Sequence, residues 1–158
     1  MNHAFLERIM LAVTEVNGCA MCSYYHTKVA LEAGFSETEI RNMLGGELSD
    51  VPAGELEGVL FAQHYADTRG KPSTESWQRL AEVYDETGAG GVLAVTRMIM
   101  LGKAVGIPSG SFLNRFRKRA DPRSNLLYEI AMMLALIVYV PFAGLTALLL
   151  NLFRAPIL

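Results

Sequence analysis

From Ile130 to Phe153 the chain reads IAMMLALIVYVPFAGLTALLLNLF, 24 residues without a charged side chain. About 20 apolar residues are enough for a helix to cross a bilayer, and a helix that is apolar all round has no face to offer to water. Two folded states satisfy this segment. As a single spanning helix it must absorb Pro141 and Gly144 near its middle, which membrane helices tolerate. As a soluble structure it breaks at Pro141 into two short helices buried inside an oligomer. Arg115, Arg117, Lys118, Arg119 and Arg123 come immediately before it, whereas only Arg154 follows. In a membrane, that bias holds the preceding part of the chain on the cytoplasmic side.

Upstream of this segment the chain is written as helices punctuated by Gly and Pro. A first helix, about Ala4 to Val16, aligns Phe5, Ile9, Ala12, Val13 and Val16 on one stripe. Asn17-Gly18 ends it and opens a second, which stops at Gly34. Ser36 and Glu39 have capping-box spacing for a short helix closed by Gly45-Gly46. A fourth helix follows Pro52 to about Thr68, carrying Leu56, Val59, Leu60, Gln63 and His64. A fifth, around Glu75 to Glu86, is separated by Gly88 to Gly91 from an apolar helix over about Val92 to Val105, stopped by Gly106 and Pro108. Ser109 to Ala120 then forms a short basic amphipathic helix. No alternating strand pattern of convincing length is present. The expected class is all-α, with a helical domain over 1–120, a linker at 121–125 and an apolar segment over 126–154.

Charge divides the chain in the same way. Residues 1–114 hold eight Lys/Arg against fourteen Asp/Glu, and residues 115–158 hold six against two. An acidic main part argues against nucleic acid, so the basic run Arg115 to Arg119 suits a membrane surface or an oligomer interface instead. With 51% hydrophobic residues in 158, the chain carries more apolar surface than one small core hides. A homo-oligomer is expected, with contacts around Val59–Leu60 and Val92–Leu101. No basic stretch followed by an apolar run stands at the N-terminus, so no cleaved signal is expected.

The chemistry lies near the start. Cys19 and Cys22 are the only cysteines, with His26 four residues after Cys22 and Glu7 twelve before Cys19, as Glu7-x11-Cys19-x2-Cys22-x3-His26. On a helix, Cys19, Cys22 and His26 share one face. A thiol needs a base or positive charge nearby to become the nucleophilic thiolate; His26 supplies it, and Glu7 orients the imidazole. One CxxC without surplus cysteines points to a reducing compartment and a catalytic or metal-binding pair. A zinc site using Cys19, Cys22, His26 and either His64 or Glu7 is the sharper rival, although a second ligand pair is absent. His64 otherwise reads as a packing histidine, and His3 lies beside the terminus.

The four spaced residues resemble the AhpD-like group of the carboxymuconolactone decarboxylase superfamily, whose Glu-x11-Cys-x2-Cys-x3-His pattern Glu7, Cys19, Cys22 and His26 match. The likeness in pattern runs from about Phe5 to Ile107, and Met21 stands where well-studied members have a histidine. It implies an all-helical fold, homo-oligomeric assembly and thiol-dependent peroxide reduction, with Cys22 attacking the peroxide and Cys19 resolving the product. It also implies an external dithiol or reductase as electron donor, and no cofactor. Two alternatives remain: a membrane-tethered dithiol relay serving a separate peroxidase, and a zinc-binding protein without redox activity. A non-redox lactone decarboxylase leaves the cysteine pair without a use.

Overall fold

A computed structural model describes the chain apart from Cys19, Asp121, Arg123 and residues 154–158. It contains six helices and, among the described residues, no strand: α1 (His3–Asn17), α2 (Ala20–Glu32), α3 (Glu37–Leu44), α4 (Ala53–Asp67), α5 (Thr74–Phe116) and α6 (Leu126–Leu152). The chain divides into two compact units, Met1–Lys103 and Ala104–Leu158.

In the first unit α1 is the central helix, packed against α2, α3 and α4. Its ends are fixed locally. The Asn2 side chain accepts from the Phe5 N–H at 2.7 Å, and Gly18 adopts the left-handed conformation (φ 62°) in which its N–H closes on the Thr14 and Glu15 carbonyls. The expected stripe is buried at Phe5, Ile9, Ala12 and Val13, but so are Glu7, Met10, Leu11 and Thr14. A helix with neighbours on several sides hides more than one stripe. Arg8 ties three elements together: it donates to Glu55 at 2.7 Å and to Glu39 at 2.8 Å, and its guanidinium lies 4.5 Å from the centre of the Phe35 ring. The capping box at α3 is therefore one-armed. Ser36 accepts from the Glu39 N–H at 3.1 Å, while the Glu39 carboxylate goes to Arg8 rather than back to the cap.

Two of the expected breaks are displaced. Gly88 to Gly91 is helical, and the interruption of α5 lies earlier, at Asp85 (φ 60°, ψ 175°). The Asp85 carboxylate accepts from the Gly88 N–H at 2.8 Å, so it caps the helix that follows. A Cβ on Gly88 would stand 2.9 Å from the Tyr84 Cβ, which is why this tight corner takes glycine. Beyond it Ala89, Val92, Leu93, Thr96 and Ile99 enter the core. Burial there outweighs the weak helix propensity of the glycines. Val59, Val92, Leu93 and Ile99 thus belong to the core of one chain, and of the large apolar side chains on the expected oligomer faces Leu60, Met98 and Leu101 are exposed.

In the second unit, α5 does not stop at Gly106 or Pro108 and restart at Ser109; it continues to Phe116, with the Ser109 hydroxyl donating to the Val105 carbonyl at 2.8 Å beside the proline. Asn125 caps α6 by accepting from the Tyr128 N–H at 2.9 Å. From there α6 runs unbroken through Pro141 to Leu152, so the break at Pro141 that the soluble reading requires is not formed. Both α5 and α6 are long and apolar enough to cross a membrane, with a third of the apolar window buried in α5 and none in α6. α6 has only Glu129 buried.

Candidate redox site

The site is built by two helices of the first unit. α1 presents Glu7, 4% exposed, and α2 presents His26, 8% exposed. The His26 Nδ1 and a Glu7 carboxylate oxygen are 3.0 Å apart. A carboxylate can only accept, so Nδ1 carries the proton and Nε2 is left as the basic nitrogen of the neutral ring. The ring of Tyr25 stands edge-on to the imidazole, with centroids 5.2 Å apart. Burial matters here because a carboxylate–imidazole contact out of water holds one orientation that an exposed pair would not.

Cys22 is half-buried in the first turn of α2, one turn before His26. The positive end of a helix dipole favours negative charge in its first turn. No described cysteine is a free thiol. Cys19 lies outside the described residues. The structure therefore brings together Glu7 and His26, and places Cys22 on the same helix as His26.

His64 is elsewhere: its Nε2 accepts from the Ser73 N–H at 3.1 Å, pinning the loop before α5. His3 is exposed. Among the described residues no group of three His, Cys, Asp or Glu is placed to hold a metal ion. A cavity of about 580 Å³ lined by Thr27, Leu31, Ile40, Arg41 and Leu44 includes neither Cys22 nor His26.

The burial of a charged residue near the C-terminal end of α1 was not anticipated. Lys103 is 3% exposed, and its ammonium donates to the Val13 carbonyl at 2.6 Å, in the last turns of α1. Burial lowers its pKa to about 8. The signal was present in the sequence: Val92, Thr96, Ile99 and Lys103 follow helical spacing, so Lys103 continues a buried row.

Residues 2–54 match the carboxymuconolactone decarboxylase family. This family includes AhpD-like proteins, and its enzymes include decarboxylases and AhpD peroxidases. The match covers α1 to α3 and the start of α4, hence Glu7, Cys22 and His26, and ends well before Ile107, the limit suggested by the sequence pattern. No curated protein and no solved structure matches the chain. The carboxymuconolactone decarboxylase match and the Glu7–His26 contact fall on the same helices.

Proposed function

We propose that this protein reduces peroxides with the Cys19–Cys22 dithiol. The observation that carries the reading is the buried 3.0 Å contact between Glu7 and His26 Nδ1, with Cys22 one turn away on the helix that bears His26. Nε2 takes the Cys22 proton, and the thiolate attacks the terminal oxygen of ROOH. The O–O bond breaks, Cys22 becomes a sulfenic acid, and the alkoxide leaves as ROH with the proton returned by the imidazolium. Cys19 then attacks the Cys22 sulfur, closing a disulfide and releasing water. An external dithiol restores the pair by exchange. Glu7 stabilises the imidazolium formed between the two proton transfers.

Cys22→Ser is expected to abolish peroxide consumption and sulfenic acid trapping, while Cys19→Ser leaves a trappable sulfenic acid at Cys22 and no turnover. Sulfenic acid that persists in Cys22→Ser and vanishes in Cys19→Ser would reverse the roles. A dithiol relay to a separate peroxidase is the second reading. It is favoured by Tyr24 and Tyr25, large and exposed beside Cys22, a composition suited to protein docking. Peroxide consumption by the isolated protein with a small dithiol excludes that reading.

The same proposal places the protein at a membrane. From Ile137 to Leu152 α6 is uncharged and exposed, and the whole helix is unbroken, so a bilayer is the surrounding that suits it. The basic residues from Arg115 to Arg119 set the first unit on the cytoplasmic side. Arg123 and Arg154, which belong to the same charge pattern, lie outside the described residues.

A further inference from the structure

In the second unit a strongly charged patch stands directly before α6, and its four cations are not equivalent. The Arg115 guanidinium holds both carboxylate oxygens of Glu129, from Nε at 2.5 Å and from Nη2 at 2.9 Å, and Nη2 also donates to the Ser124 carbonyl at 3.0 Å. Ser111 adds a hydrogen bond to the same carboxylate at 3.1 Å. Glu129 is 1% exposed and is the sole acidic residue of α6. Its charge is cancelled where the apolar run begins.

The other three cations are held differently. The end of α5 is closed by Lys118 in the left-handed conformation (φ 57°), with its N–H on the Arg115 carbonyl at 3.1 Å and the Arg119 N–H on the Asn114 carbonyl at 2.9 Å. This is the closing geometry of a Schellman motif. It exposes Arg117, Lys118 and Arg119 in succession, and among the described residues none of the three makes an ion pair. Asp121, the nearest acid in sequence, lies outside the described residues. Arginine grips phosphate with two parallel N–H bonds and lysine meets it as a point charge.

We propose that Arg117, Lys118 and Arg119 are a seat for anionic phospholipid headgroups, while Arg115 is withheld from lipid by Glu129. The inference rests on the reading of α6 as a spanning helix, because that reading brings the end of α5 to headgroup depth. A nucleic acid would meet the same cations, but it would not account for a neutralised apolar helix beginning a few residues later. Each basic residue near an anionic surface contributes about a fivefold preference.

The test uses the full chain reconstituted in vesicles of phosphatidylcholine containing a minor share of phosphatidylglycerol. Flotation after an alkaline carbonate wash reads insertion of α6; spin-labelled phosphatidylglycerol and phosphatidylcholine read which lipid contacts the protein. The expected result is carbonate-resistant protein with at least about a fivefold preference for phosphatidylglycerol. That preference falls to near unity in high salt and in the triple variant Arg117→Gln, Lys118→Gln, Arg119→Gln. It persists in the pair Arg115→Gln, Glu129→Gln, which keeps the net charge. Inserted wild-type protein without lipid preference, or an equal preference in the triple variant, overturns the headgroup seat and leaves the spanning helix standing. Loss of preference in the Arg115–Glu129 pair overturns the division of roles. Wild-type protein stripped by carbonate overturns the spanning reading itself.

Discussion

His26→Ala removes the partner of a carboxylate that is 4% exposed, and the consequence can be worked from the contact. Deleting the imidazole leaves a buried carboxylate without its hydrogen-bond donor, which costs about 3 kcal/mol or more, since an unsatisfied charged group exceeds the range for a neutral one. Glu7→Gln is milder: the amide oxygen still accepts from Nδ1 and only the charge assistance is lost, about 1 kcal/mol. The double variant leaves a neutral buried amide without its partner, about 1–3 kcal/mol. It is therefore expected to be more stable than His26→Ala alone, with a coupling of about 2–3 kcal/mol between the two positions. Trp77, the only tryptophan, sits 6.0 Å edge-on from the buried Phe61 ring and reports unfolding of the first unit. Urea titration of the four proteins in detergent, followed by Trp77 fluorescence at neutral pH, gives the cycle. A double variant whose cost equals the sum of the single costs, or a His26→Ala cost below about 1 kcal/mol, refutes the claim that Glu7 and His26 act as a coupled buried pair.

Gly58→Ala is expected to destabilise the first unit by about 1–3 kcal/mol, because a Cβ there meets the Phe5 ring at 2.5 Å; the same urea titration reads the loss, and an unchanged midpoint counts against the α1–α4 packing described here. Lys103 predicts a pH dependence. Its folded pKa of about 8 lies below the unfolded value near ~10.4, so the unfolded chain binds more protons between them and this residue's contribution to stability rises as pH climbs through that window. Lys103→Met is expected to remove that rise without a large loss at neutral pH, since Asn17 also donates to the Val13 carbonyl at 2.8 Å; a wild-type curve that falls from pH 8 to 10 while the variant stays flat contradicts the assignment.

Much of the fold was legible because its signals are local. Gly18 ends α1, Ser36 caps α3, and hydrophobic spacing marks α1 and α4; each depends on residues within a turn or two. The placement of two candidate residues was legible for a related reason: Cys22 and His26 lie one turn apart on one helix, so their neighbourhood follows from helix geometry alone. Glu7 was different. Its spacing from the cysteines matched a family pattern, but spacing cannot say that α1 packs on α2 with the carboxylate 3.0 Å from Nδ1.

The misplaced breaks show where local reasoning gives out. Gly88 to Gly91 and Pro108 are weak helix formers, and sequence alone makes them ends. Tertiary burial of Ala89, Val92 and Leu93 keeps the first stretch helical and moves the interruption to Asp85, whose side chain supplies the cap. Arg8, Lys103 and the Arg115–Glu129 lock join residues that their own helices would leave solvated or unpaired, and only packed neighbours give them partners. The sequence by itself determined that the chain is helical, that Glu7, Cys22 and His26 share a short N-terminal segment and that residues 130–153 form an uncharged run long enough to cross a bilayer. The tertiary structure decided which charges are buried and paired, because burial and partners arise between segments distant in sequence, where no spacing rule reaches.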